Sequence, residues 1–424
     1  MEPIIERFRA LRPQLKKDEV WREVDFDAYL TDDLRTATPA ERTPFDLTCN
    51  IPDLETLRIV VENGYLTDAP LQTDEGIVVG SVRGPLPGSV PEAVRQQVGR
   101  QPSNPYNQLN AEGYTDGFLI YVPDGVAARL PLQILSVATA SHSLLTQTRN
   151  VVALGRNSHL TLVQCDDSLN TSRNFANNVT YVSLADGAHL ELYKMQNLTD
   201  SSALLNQTYV DMQHDCHLQT HALTLNGGHI RNHTEIRMHG AGCTTEAHGL
   251  YLIDKNQEAD NYIFVDHAAP HCTSRTLFKG IMDDAARATF NGHVLVAEGA
   301  TKTEAFQTNN NILLTDKALV NTRPFLEIYN DDVKCSHGTT TGQIDEQALF
   351  YIRSRGVSLR TAQTLLLYAF CDEVIQTLSL PTLREKLSDM VKKRLHGELT
   401  PCADCALQCG ESTAPSFHID PSKL

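Results

Sequence analysis

Three segments decide the fold: Asn150-Val-Val-Ala-Leu-Gly-Arg-Asn-Ser-His159-Leu160, Thr180-Tyr-Val-Ser-Leu-Ala-Asp-Gly-Ala-His189-Leu190 and Thr208-Tyr-Val-Asp-Met-Gln-His-Asp-Cys-His217-Leu218. Each is the end of an apolar, β-branched run, a turn of Asp, Asn or Gly, and a new run opening on His-Leu. The spacings are 30 and 28 residues, and a weaker fourth copy lies near Ile236–Met238. A strand–turn–strand unit recurring at this period is a solenoid signature. One unit cannot bury its own apolar face, so it stacks on the next. With no helix between the strands, the expected architecture is a parallel β-helix; an antiparallel sandwich with chance similarity is the alternative. Rungs repeat at ~4.8 Å, so roughly eight of them make a rod about 40 Å long. The histidines His159, His189 and His217 share one rung position and are expected to stack as a structural ladder.

Working outward, strand-like runs alternate with short turns over residues 107–340. Gly117–Val122, His189–Met195 and His293–Val296 are examples. Residues 1–106 form a mixed N-terminal region. Ile4, Ile5, Phe8, Leu11 and Leu15 keep helical spacing, a helical reading extends to residue 35, and Pro13 breaks or bends it. Residues 341–397 read as helices again. Asp345 and Ser358 suit N-caps, Gly356 suits a stop, and Pro381 suits a first helical turn. In the second of these helices Leu359, Ala362, Leu366, Ala369 and Phe370 are expected on one side. Residues 398–424 are a cysteine-containing tail.

The 424 residues are 41% apolar and 21% charged, with a net charge of −16. That acidity argues against nucleic acid and anionic membrane as partners, both of which favour a basic face. No run of 18 apolar residues suggests a membrane span. The N-terminal residues do not read as a secretion signal. A cytoplasmic location is therefore expected, with the ten cysteines as thiols, buried hydrophobes or metal ligands. No G-x-x-x-x-G-K-[ST] or G-x-G-x-x-G is present, so no nucleotide is expected on this chain and a nucleotide-driven role needs a partner ATPase.

Three cysteine/histidine groupings suit metal chemistry. In Asn330-Asp-Asp-Val-Lys-Cys335-Ser-His337-Gly338, Cys335 and His337 are two apart and share one face of a strand. Thiolate and imidazole suit iron, zinc and Fe–S clusters, although two ligands alone do not make a site. Asp266-His267-Ala-Ala-Pro-His271-Cys272 is a second grouping, with turn-capping histidines and a core cysteine as its plain structural reading. Cys402, Cys405 and Cys409, with His418 beyond, form the third.

Several longer motifs resemble the SufB/SufD scaffold proteins of the SUF iron–sulfur assembly system. They are Asp266-His-Ala-Ala-Pro-His-Cys-Thr-Ser274, Phe278-Lys-Gly-Ile281, Phe290-Asn-Gly-His-Val294, Gln307-Thr-Asn-Asn-Asn-Ile-Leu-Leu-Thr-Asp-Lys317, Pro324-Phe-Leu-Glu-Ile-Tyr329, Asp331-Asp-Val-Lys-Cys-Ser-His-Gly338 and Leu349-Phe-Tyr-Ile-Arg-Ser-Arg-Gly356. The resemblance covers most of residues 107–375. It implies a mainly β fold, a right-handed parallel β-helix flanked by N- and C-terminal helical regions. It also implies a non-enzymatic role. A D-type subunit pairs with a SufB-like paralogue through β-helix ends, and each binds a SufC-like ABC ATPase through its C-terminal helices. A homodimer is open to the isolated chain. The nascent cluster or iron is transient and shared with the partner. By the resemblance, the D-type ligand is the histidine of Cys-Ser-His-Gly, here His337, with Cys335 beside it. B-type chains carry a sulfur-accepting cysteine in an Asp-Lys-Cys segment; here that segment is Asp316-Lys317-Ala318. The missing thiol points to the D-type branch. A metal-dependent cupin-type β-barrel enzyme using His229, His233 and His239 is the alternative function, and a solenoid face that binds peptide or glycan is a third.

Overall fold

The repeat copies lie directly above one another. Asn150, Thr180 and Thr208 are register partners in one sheet. His159, His189 and His217 are partners in the other. The computed structural model describes residues 4–41, 54–67, 71–170 and 172–396. From Phe118–Val122 onward, successive strands alternate between two ten-stranded sheets, giving a solenoid of about eight turns. From Leu132–Ala138 onward every pairing is parallel. Antiparallel pairs occur only at the N-terminal end, among the short strands Leu57–Glu62, Tyr65–Leu66, Leu71–Gln72, Val78–Ser81 and Phe118–Val122. The strands of the antiparallel alternative are therefore absent from the described repeat region.

The turn chemistry explains the period. Asn157, Gly187, Asp215, Gly242 and His271 occupy one turn position on successive rungs, all with positive φ. Asn, Asp and Gly tolerate that conformation best. Gly187 is further constrained by its neighbour, because a Cβ there would lie 2.3 Å from Asn157 Oδ1. The histidine ladder forms as expected, with ring centroids 4.5 Å apart for His159–His189 and 4.4 Å for His189–His217.

Alternation sends every second side chain into the lumen. There, identical positions stack into columns. Val152, Val182, Val210, Ile236 and Val265 form one column; Leu154, Leu184, Met212 and Met238 begin another. Asn178, Asn206, Asn232 and Asn261 form a polar column in the same sheet. Within it Asn232 bonds to a lumen neighbour, Gln196 Nε2 donating to its Oδ1 at 2.7 Å, while Asn206 has neither amide atom hydrogen bonded.

Each sheet's outer face is covered by one flanking region. Helix α1 (Ile4–Leu15), the turns that follow it and α3 (Pro105–Gly113) lay Ile5, Phe8, Trp21, Phe26 and Tyr106 on Leu145, Phe175 and Leu205. A short helix α2 (Glu92–Arg95) precedes α3. The helical reading to residue 35 is corrected here: α1 ends at Leu15. Pro13 lacks an N–H for the helix ladder, and residues 16–34 continue as hydrogen-bonded turns whose apolar side chains still reach the sheet.

At the other end come α4 (Glu346–Ser354), α5 (Leu359–Ile375) and α6 (Pro381–His396). Asp345 Oδ1 accepts from the N–H of Gln347 and Ala348, and Ser358 Oγ from that of Thr361. Gly356 ends α4 region at φ +87°. The expected apolar side of α5 holds at Ala362, which is buried, and at Phe370, which packs on this layer, and is corrected at Leu359 and Ala369, which are exposed; Leu367, Cys371, Val374 and Ile375 pack on the sheet, because α5 is apolar on more than one side. Leu383, Leu387 and Val391 of α6 complete this layer over Tyr193, Met195, Leu223 and Leu250.

Candidate functional site at the solenoid mouth

The last strand of each sheet is an unpaired edge: Leu319–Ile328 in one and Val333–Gly342 in the other. Edge strands present backbone N–H and C=O groups ready to pair with another chain. Val333–Gly342 pairs on one side only, with Thr303–Leu313. Within it, Val333 and Cys335 pack against the lumen core, so alternation places His337 on the lumen line too.

Register then locates both candidate ligands. Leu160, Leu190, Leu218, Thr245, Ser274 and Ala305 form the column that Cys335 terminates. Leu162, Leu192, Thr220, Ala247, Thr276 and Gln307 form the column that His337 terminates. His337 is exposed, as the last residue of its column should be, and Cys335 is half-buried. Burial raises the Cys335 thiol pKa, against a smaller lowering from the Ala305 backbone, so it is a protonated thiol at neutral pH. Directly below His337 in register, the buried Gln307 has neither amide atom hydrogen bonded. The mouth is thus polar at its centre and incompletely satisfied in the single chain.

Its rim is apolar. Phe325 is 53% and Tyr329 64% exposed, beside exposed Leu319 and Ile328. Phe325 stacks edge-on against His293 at 5.0 Å. Exposed Phe350 and Tyr351 of α4 add to the apolar surface at this end of the chain, and α4 buries none of its residues. Several exposed large apolar side chains beside unpaired edge strands suit a protein interface.

The other groupings lie elsewhere. His267 is buried in the lumen between Met238 and Val296, with Nε2 2.8 Å from Ser274 Oγ. His271 is a turn residue. Cys272 joins Cys216 and Cys243 in a buried thiol column, each at the foot of a rung. Cys402, Cys405, Cys409 and His418 lie outside the described residues. The alternative trio is not gathered either. His229 bonds Asp260 at 2.8 Å, His233 stacks between Trp21 and Tyr262, and His239 bonds Asp211 at 3.0 Å from a turn. No barrel encloses them; the sheets are those of a solenoid. Ala318, of the Asp316-Lys317-Ala318 segment, is buried against the lumen.

Comparison with known proteins agrees with this architecture. Residues 137–370 match the SUF system FeS cluster assembly SufBD core domain, and residues 2–134 match the SufBD protein N-terminal region. The chain belongs to the SufBD family. Among its relatives, the iron–sulfur cluster assembly protein SufD of Escherichia coli is 29% identical over 90% of this chain and 89% of its own. A SufBD family protein of Synechocystis is 26% identical over 91% and 88%. One from Mycobacterium tuberculosis is 33% identical over 52% of this chain and 57% of its own. This SufBD chain is accordingly an iron–sulfur cluster assembly protein of the SUF system. None of its described helices is long and apolar enough to cross a membrane.

Proposed function

We propose that this SufBD chain is the D-type, non-enzymatic subunit of a cytoplasmic assembly scaffold. In this reading its solenoid mouth docks on a SufB-like paralogue. His337, with Cys335 beside it, supplies ligands to a nascent Fe–S cluster or iron that the partner's groups complete. The helices α4–α6 receive a SufC-like ATPase. The observation that carries the reading is the position of His337: exposed, at the end of a lumen column, on the unpaired edge strand of its sheet.

The chemistry is consistent with a shared site. One imidazole and one half-buried thiol cannot hold a cluster alone. A site completed only at an interface is assembled and dismantled when the interface closes and opens, which gives an ATPase a mechanical handle on it. Support for α4 as a docking element comes from its fully unburied apolar residues, Phe350 at 75% exposure among them. In contrast α5 is pinned to the sheet, where Lys279 Nζ pairs with Glu373 and donates to the Phe370 carbonyl at 3.1 Å.

Co-purification from native cells with subunit identification tests the reading. Recovery of a longer SufBD paralogue and an ABC-type ATPase is expected, and removal of residues 345–395 is expected to release the ATPase. Isolation of the native chain without either partner would overturn the proposal.

A further inference from the structure

The histidine ladder offers more than stacking. We propose that the imidazoles of His159 and His189, together with the carboxylate of Glu191, bind a divalent first-row transition-metal ion on the outer face of the solenoid, well away from the mouth in strand order. One ligand atom from each of the three lies within 4.8 Å of the others, the one such group among the described residues.

Three observations carry this. First, the Nε2 atoms of His159 and His189 are both shielded from solvent and both lack a hydrogen-bond partner. Buried polar atoms are generally hydrogen bonded, so these two nitrogens are vacant positions that a ligand can fill. Second, the carboxylate is held in place from behind. Glu191 Oε2 accepts from Thr161 Oγ1 at 2.9 Å, Ser379 Oγ at 2.7 Å and Tyr193 Oη at 3.3 Å. Orienting hydrogen bonds of this kind accompany metal-binding carboxylates. Third, the donor set is right: two imidazoles and one carboxylate suit Zn2+ or Fe2+ and leave coordination positions open to water.

The fold explains why the site exists. Parallel stacking repeats a side-chain position at every rung, ~4.8 Å apart. A His-x-Glu on one rung and a His on the rung below therefore converge without any loop. Bonds of ~2.1 Å to one ion hold donor atoms about 3.3 Å apart, so the rings swing toward the carboxylate on binding. Ser379 sits in the connection between α5 and α6, so the carboxylate also ties the site to the C-terminal helices.

The test uses Co2+ as a spectroscopic probe, displaced by Zn2+, on the full chain. The other thiol and imidazole candidates are removed together by Cys335→Ser, His337→Ala, Cys402→Ser, Cys405→Ser and Cys409→Ser. This background is expected to bind one Co2+ per chain, with visible absorption bands that Zn2+ abolishes. Adding His159→Gln, His189→Gln or Glu191→Gln is expected to remove the bands. Ser379→Ala, a positioning change, is expected to weaken binding by roughly 10–100-fold, and His217→Gln leaves it intact. Circular dichroism confirms strand content, and the two histidine variants guard against one of them failing to fold. A background chain without stoichiometric Co2+ absorption overturns the proposal, as does absorption that survives both histidine substitutions.

Discussion

Lowering the pH from 7.5 to 5 should destabilise this protein steeply, and His267 accounts for a defined share of the loss. The imidazole fills a lumen position between Met238 and Val296, fully enclosed. Burial alone lowers its pKa from 6.5 to about 4. The unfolded chain therefore takes up a proton near pH 6.5 that the folded chain refuses until about pH 4. Below 6.5 protons favour the unfolded state, so stability falls as pH falls through that window. Two proton-binding curves separated by this shift give about 2 kcal/mol lost at pH 5. His248 is buried on the outer face with neither ring nitrogen hydrogen bonded and is also lowered to about 4 by burial, adding a similar amount. Urea unfolding at both pH values measures the total. His267→Met restores the apolar column and should flatten the pH dependence by about 2 kcal/mol, whatever it does to stability at pH 7.5. An unchanged difference between the two pH values would refute the assignment.

Two further outcomes follow from packing. Gly249→Ala would place a Cβ 2.1 Å from the Phe278 ring, in the lumen layer where Phe278 and Phe290 meet; a loss of about 1–3 kcal/mol is expected, read as a lower midpoint in thermal unfolding. Phe325→Ala should leave the isolated chain's stability within about 0.5 kcal/mol. Burying the roughly 100 Å2 that Phe325 exposes would contribute about 2.5 kcal/mol to docking, so its loss weakens association with the SufB-like paralogue by about 70-fold in a binding titration.

The repeat was readable because a β-solenoid writes its period directly into sequence: the three quoted copies are register partners residue for residue. Their turns were readable for the same reason, since only a few residue types accept the left-handed position. The C-terminal helix starts were readable from Asp345, Ser358 and Pro381, which do local chemistry. What depends on tertiary placement was not. Nothing local shows that His267 occupies a Met/Val column, because its motif resembles a ligand cluster until the register is known. The thiol column escaped notice because only Cys216 sits in a clear repeat copy, while Cys243 and Cys272 belong to degenerate ones. Residues 16–34 keep apolar side chains at intervals that suit a helix or a series of turns equally. The pairing of Cys335 and His337 was legible from their two-residue spacing, but their position at the lumen mouth required the whole stack of rungs beneath them. Glu191 is not legible as a ligand from the sequence, because its neighbour His159 lies a rung away.

Chemical analysis of one anaerobically purified complex bears most directly on the solenoid mouth as a shared ligand site. The SufB-like paralogue, the ATPase and this chain carrying His337→Ala are co-expressed, and iron and acid-labile sulfide are measured per complex. The subunits should still co-elute, with cluster content falling to background. Wild-type iron and sulfide in an intact His337→Ala complex would contradict the assignment.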